Sequence, residues 1–257
     1  MKSYLDILDN TLSNGRWKES EEGGRVLSFF GETFRHEMAN GFPLVTTNEI
    51  PIDLAWSGLE GLIHGVTSAN LGPIDGYQWR RFNQTYGAND DGCLPQYDQL
   101  KRIVDALQVN PTDPTLICTS WNPVQLEKMS LKPYRILWNV VVSEDRLNLA
   151  WYQRSAEIIR GIPINIALYG TLLLLLAETA GLKPGTLHGT FADCYIREAH
   201  ILEAEKQLGR KPRELPIATL GLDGDSILQW SSKNATLHNY NPYPRLDFSP
   251  IYCEVTS

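Results

Sequence analysis

Cysteine is scarce. Four occur in 257 residues, at positions 93, 118, 194 and 253. None forms a CxxC pair and no histidine lies at ligand spacing from one, so neither a disulfide scaffold nor a zinc site is expected. No metal of any kind is expected. Basic clusters are missing too. Lys and Arg total 23 against 30 Asp and Glu, a formal charge of −7, which disfavours nucleic acid and anionic membranes as partners. A small nucleotide remains compatible with that charge. The opening MKSYLDILDN carries acids where a signal peptide needs a basic end and an apolar run. The most apolar stretch, residues 162–177, is interrupted by Pro163, Asn165 and Tyr169 and is short for a membrane span. A cytoplasmic protein with free thiols is expected. Repeats, low-complexity segments and Gly/Ser/Pro linkers are also missing, so residues 1–257 are expected to form one domain.

What is present is globular. Apolar residues make up 42% and charged residues 21%, enough for a substantial core. Residues 4–15 read as a helix. Residues 26–38 alternate apolar and polar, with Leu27, Phe29, Phe30 and Phe34, and read as a strand bent at Gly31. Residues 54–63 read as a short helix weakened by Gly58 and Gly61, and Pro95 opens a helix over 96–109. Strands are expected at 116–121, 134–142 and 147–152, with a hairpin turn at Ser143-Glu144-Asp145. A Leu-rich central helix is expected over 166–180, closed by Gly181. Another is expected over 192–208 with Asp193 near its start, and short strands and proline turns after Asp223. The class is α+β, an α/β sandwich with a mostly β layer and helices on one side, around a Leu-rich helix.

The stretches Tyr152-Gln153-Arg154-Ser155 and Gly161-Ile-Pro-Ile-Asn165-Ile-Ala resemble the thymidylate synthase / deoxypyrimidine hydroxymethylase family. Further matches follow in order: Leu27-Ser-Phe-Phe-Gly31, Asn40-Gly-Phe-Pro-Leu-Val-Thr-Thr47, Leu71-Gly-Pro, Gln78-Trp79-Arg80, Ser120-Trp121-Asn122, Gly181-Leu-Lys-Pro-Gly185 and Tyr240-Asn-Pro-Tyr-Pro244. The resemblance covers nearly the whole chain. It implies a large bent mixed sheet, a homodimer packed through that sheet, and active sites that borrow residues from the partner.

In that family a cysteine adds to C6 of the uracil of dUMP, which makes C5 nucleophilic toward the one-carbon unit of methylenetetrahydrofolate. Here the family's Leu-Pro-Pro-Cys-His reads Leu131-Lys132-Pro133-Tyr134-Arg135, which puts Tyr134 at the nucleophile's position. A phenol of pKa about 10 is no simple substitute for a thiolate. The family's proton-transfer glutamate aligns with Gly58, near Glu60, and its active-site tyrosine with Asp75. The folate-stacking stretch is deleted between Thr67 and Leu71. The phosphate-binding arginines are reduced to Arg154: one aligns with Glu21, and the partner's pair with Pro114 and Thr115. Tyr195 and Arg197 stand where a His and a Tyr hold the sugar hydroxyl. Gln153, Arg154, Ser155, Asn165 and Asp193 are kept, and Glu157 stands at a folate-side aspartate.

The resemblance therefore implies Tyr134, Asp75 and Glu157 as candidates for chemistry. It implies Gln153, Arg154, Ser155, Asn165, Asp193, Tyr195, Arg197 and Glu21 for substrate. Each has a structural alternative. Arg154 and Ser155 end a central strand, Asn165 fits a helix N-cap, Tyr134 fits a pocket-filling aromatic, and Asp75 and Glu21 fit solvated loop acids. In the family, Asn at position 165 points to a uracil-like face. Cys194 is either a migrated nucleophile or an inert core thiol, and Cys118 reads as core. His188 and His200, flanking a strand-to-helix junction, read as structural.

Three functions follow. One is one-carbon transfer, methyl or hydroxymethyl, to a pyrimidine-like or amino-heterocyclic, unphosphorylated acceptor without a cysteine nucleophile, with methylenetetrahydrofolate as the cofactor. Another is non-catalytic binding of a ligand or partner. The third is ordinary thymidylate or nucleotide chemistry with Cys194 or Tyr134 substituting.

Overall fold

Tyr4, Ile7, Leu8 and Thr11 recur at helical spacing, and the first helix, α1 (Lys2–Asn14), buries that face. The computed structural model describes residues 1–20, 23–66, 75–83, 96–222 and 226–248. Next come β1 (Arg16–Glu19), β2 (Arg25–Glu37), α2 (Ile52–Ile63), α3 (Asp75–Arg81), β3 (Phe82–Asn83), β4 (Gln96–Tyr97) and α4 (Gln99–Val109). The middle of the chain holds β5 (Ile117–Thr119), β6 (Arg135–Ser143), β7 (Arg146–Gln153), β8 (Ala156–Glu157) and α5 (Gly161–Thr179). Then follow β9 (Lys183–Arg197), α6 (Ile201–Leu208), β10 (Ile217–Leu220) and β11 (Ala235–His238).

Seven strands form one mixed sheet in the order β1-β2-β9-β7-β6-β5, with β8 continuing beside β9. β7 and β8 run parallel to β9, and the other neighbours are antiparallel. The side-chain period of two separates the faces. One row crosses the core face as Cys118, Trp138, Trp151, Gly189 and Phe34. The adjacent row, Ile117, Asn139, Ala150, His188 and Arg35, lies on the other face. α5 packs beneath the core face.

Gly31 bends β2 as expected. Its φ is +86°, and the pairing passes from Phe30↔Asp193 to Glu32↔Phe191, leaving Gly31 and Ala192 unmatched. The irregularity shifts the phase. Leu187 and Phe191 face the core before it on β9, and Cys194 and Ile196 after it. The hairpin also forms, with Glu144 at φ +58° between the paired Ser143 and Arg146.

Several boundaries differ from the sequence reading. Residues 192–197 belong to β9, and the helix expected over 192–208 is only α6. Pairing of 192–197 with β2 on one side and β8 on the other overrides the local helical pattern. His188 therefore sits inside β9, and only His200 adjoins a helix start. The helix expected from residue 96 begins after Asp98, whose carboxylate accepts from Lys101 N–H at 2.8 Å; Pro95 lies outside the described residues. α5 starts five residues before the expected helix and reaches 19 residues, the length of a membrane span. Most of it lies inside the protein, as a core helix does. Gly181, at φ +65°, closes it: its N–H donates to Glu178 O at 3.1 Å and Leu182 N–H donates to Ala177 O at 2.9 Å.

Candidate active site

The β6/β7 hairpin, α3 and the first turns of α5 converge at one end of the sheet. Arg154 N–H donates to Tyr134 O at 3.0 Å, which holds the start of β6 against the end of β7. Arg135 pairs with Gln153 across that junction, beside a bulge between Arg135 and Leu137. Strand pairing thus fixes Tyr134, Arg135, Gln153 and Arg154 as a unit.

Arg135 is the hub. Its Nε donates to Asp75 Oδ2 at 2.9 Å, a pair whose side chains are only 15% and 9% exposed. Its Nη1 donates to Asn165 Oδ1 at 3.4 Å, and its guanidinium lies 4.9 Å from the centre of the Tyr134 ring. Burial opposes the charge on Arg135, but Tyr134, Asp75 and Tyr169 outweigh it and the group is held more firmly protonated than usual. Tyr169, stacked on Trp151 at 4.9 Å, is pushed up by burial and stays a phenol. Asn165 is 2% exposed and lies in the second turn of α5. The N-cap alternative fails because Arg160 precedes the first turn. The carboxylate of Glu157 takes the capping role, with Oε2 accepting from the N–H of Arg160 at 2.6 Å and of Gly161 at 3.1 Å.

Other candidates have protein partners. Arg154 donates from Nε to Pro133 O at 2.9 Å and from Nη2 to Lys132 O at 3.2 Å. Gln153 accepts from Trp151 Nε1 at 2.8 Å and donates to Ser155 O at 3.4 Å. Asp193 is an outward residue of β9, not a helix start. It accepts from Lys18 Nζ at 2.7 Å and Ser28 Oγ at 2.5 Å. Tyr195 and Arg197 lie farther along β9, with the guanidinium 5.9 Å from the ring centre. Glu157 pairs with Tyr195 across β8 and β9, which puts this second cluster beside the start of α5. Glu21 lies outside the described residues, as do Cys93, Cys253 and the segment around Leu71.

Cys194 is not placed as a nucleophile. It is buried on the core face, and burial followed by Glu32 and Asp193 pushes its thiol well up. Cys118 is buried too and is raised by burial, Asp75 and Asp98. Asp75 is a buried ion-pair partner, which corrects the solvated-acid alternative. Glu60 does not reach toward the site. Its carboxylate accepts from the N–H and hydroxyl of Ser232, which hold it below the usual range. At the positions expected for the partner's arginines, Thr115 accepts from Arg102 of α4, which leaves that turn tied to its own chain. Arg135 itself was not among the sequence candidates. The signal was an arginine opening an apolar strand, a position where burial demands a counter-ion.

Residues 2–251 match the family model described as thymidylate synthase. The chain belongs to the thymidylate synthase family. Its members are one-carbon transferases that use methylenetetrahydrofolate and bind nucleotide-like small molecules. The mixed sheet over a buried helix agrees with that fold. Among the described residues no group of three or more His, Cys, Asp or Glu is arranged to hold a metal ion. The candidate folate-side residue Glu157 is already engaged inside the protein: Oε2 caps α5, and Oε1 is buried 3.9 Å from His200 Nδ1.

Proposed function

We propose that this family member transfers a one-carbon unit to a carbon of an unphosphorylated pyrimidine-like or amino-heterocyclic acceptor, without a cysteine nucleophile. One observation carries the reading. A charge-balanced cluster of Asp75, Arg135 and Asn165 stands beside Tyr134, where the family places its thiolate, and the Nδ2 of Asn165 donates to none of the described residues.

Thiol addition serves to make a weakly nucleophilic carbon reactive. An electron-rich enamine or amino-heterocycle already has that reactivity, and positioning then supplies the catalysis. The acceptor carbon forms the new C–C bond and sheds its proton, for which Tyr134 in its phenolate form, beside the Arg135 charge, is the candidate acceptor. Methylenetetrahydrofolate would supply the one-carbon unit and leave as tetrahydrofolate, with water completing a hydroxymethyl product or hydride from the tetrahydrofolate a methyl one. An unphosphorylated acceptor is supported by Arg154, whose donors already bind the carbonyls of Lys132 and Pro133. The reading includes a homodimer packed through the outer face of the sheet.

The test pairs thermal shift with label transfer. Methylenetetrahydrofolate and an unphosphorylated amino-pyrimidine together should stabilise the protein while dUMP does not; a ligand at a hundred times its Kd adds about 2.7 kcal/mol. Labelled carbon should then appear in the heterocycle. Stabilisation by dUMP would return ordinary nucleotide chemistry to the front, and no response to folate removes the donor. A second reading, non-catalytic binding, is favoured by the internal partners of Gln153, Arg154 and Asp193. Ligand binding without label transfer would select it.

A further inference from the structure

Two arginines share one aromatic ring. The guanidinium of Arg213 lies 4.0 Å from the centre of the Tyr243 ring, and that of Arg210 lies 5.3 Å from it. Buried Thr46 sets the arrangement. Its hydroxyl accepts from the N–H of Arg213 at 2.9 Å, and its carbonyl accepts from the N–H of Tyr243 at 2.9 Å. One nitrogen of each guanidinium is then pinned. Arg210 Nη1 donates to Thr47 O at 2.8 Å and to Pro244 O at 2.9 Å. Arg213 Nη1 donates to Asn241 Oδ1 and to Pro242 O, both at 3.0 Å. These bonds use carbonyls and an amide, not a counter-ion. Two cations on one ring lie closer than the screening length of about 10 Å at roughly 0.1 M salt and repel each other. Among the described residues no carboxylate pairs with either, nor with Lys211 between them or Arg245 after Pro244. In both arginines the edge made of Nε and Nη2 donates to no described residue. Arg213 is exposed, and the free nitrogens of half-buried Arg210 still reach solvent.

We propose that Arg210 and Arg213, stacked on Tyr243, form an anion site for the phosphate or diphosphate group of a small molecule. The Nε and Nη2 edge of a guanidinium is planar and meets two oxygens of an oxyanion at once. Two such edges on one ring suit an anion with more than one charge, which also relieves their mutual repulsion. Stacking and the carbonyl bonds restrict both side chains before a ligand arrives, so less entropy is lost on binding. The tie between residues 46–47 and 241–244 accounts for the two Nη1 groups. It gives no use to the free edges or to a second like charge. The site contains no residue of the Asp75, Arg135 and Asn165 cluster, so it stands whether or not the transfer reading does.

Calorimetry on the full chain at low salt, with pyrophosphate as the probe, should show one site per chain. Its Kd should rise several-fold when sodium chloride is raised to about 0.2 M. ADP tells the sources of the group apart: a Kd no lower than that of pyrophosphate assigns the free anion, and a lower one assigns a nucleoside diphosphate. The double variant Arg210→Lys/Arg213→Lys keeps both charges and removes both forks, and should raise the Kd about tenfold or more. An unchanged Kd in a double variant with a native circular dichroism spectrum overturns the inference, as does failure of pyrophosphate to bind at millimolar concentration. A single-stranded oligonucleotide bound more tightly than either probe, and released by the double variant, overturns the assignment to a small molecule. Should the double variant not fold, heteronuclear NMR of the wild type decides. The Nε–H resonances of Arg210 and Arg213 should shift as pyrophosphate binds, and shifts confined to other arginines overturn the proposal.

Discussion

At the scale of single residues, the ion pair of Asp75 and Arg135 matters more than any surface pair. Asp75→Ala strands a buried guanidinium and should lower the unfolding free energy by about 3 kcal/mol or more. Lys101→Ala breaks an exposed pair with Asp105 on one helix face and should change it by no more than about 0.5 kcal/mol. Urea denaturation of the two variants measures the contrast. His36 gives a pH test. Burial lowers its pKa, partly offset by the bond from its Nε2 to Gly41 O at 2.9 Å. The unfolded histidine, near its ordinary value of about 6.5, then binds protons more readily than the folded one. Stability from this group is complete above about 6.5 and is lost as the pH falls through the folded value. His36→Gln, whose amide can donate to the same carbonyl, should lessen the loss in urea midpoint between neutral pH and pH 5. Residue types in the sequence pointed to Tyr134, Asp75 and Asn165, and the structure gathers these three. Arg135, which joins them, was not a candidate, because which donor meets which acceptor depends on a strand junction and two helices far apart in the chain.

Elements were legible where one pattern ruled. The β6/β7 hairpin and the core of α5 follow from alternation and from continuous apolar character. Residues 192–208 were not, because two periods overlap there. Cys194 and Ile196 bury with the strand period, whereas Ile196, His200, Ala204 and Gln207 also bury at helical spacing. Pairing on both sides of β9 decides in favour of the strand. The same strand gives Gly189 its reason. Its neighbours Trp151 and Phe34 approach to 6.0 Å between ring centroids over the glycine. A Cβ there would stand 2.6 and 2.7 Å from the Trp151 ring. Gly189→Ala should therefore cost about 2 kcal/mol by overpacking, read as a lower urea midpoint with an unchanged slope. At the start of α5, Glu157→Ala removes the acceptor for two backbone N–H groups and should cost about 1–2 kcal/mol. Glu157→Gln keeps one acceptor oxygen and should recover part of that loss.

For the whole molecule, the outer face of the sheet sets the strongest expectation. The helices occupy the core face, and the outer face presents Val141 at 54% exposure, Phe30 at 83% and the neighbouring row of Ile117, Asn139, Ala150, His188 and Arg35. A concavity of about 440 Å³ lies there, lined by Arg35, Asn139, Arg146, Asn148 and His188 among others. A two-fold dimer packed through this face would place one patch against its own copy. Phe30, Ile117 and Val141 are the exposed large apolar side chains of this face. Sedimentation should then give about twice the 29.0 kDa chain mass. Val141→Asp puts a charge on this outer face without touching the core, and should give monomers with an unchanged circular dichroism spectrum. The test also reaches the active site. If the partner completes the acceptor pocket, the monomeric variant should lose label transfer and heterocycle binding together, although every residue of the Asp75, Arg135 and Asn165 cluster remains in place. Retained binding in the monomer would confine the site to one chain. A wild-type monomer would remove the dimer from the reading altogether.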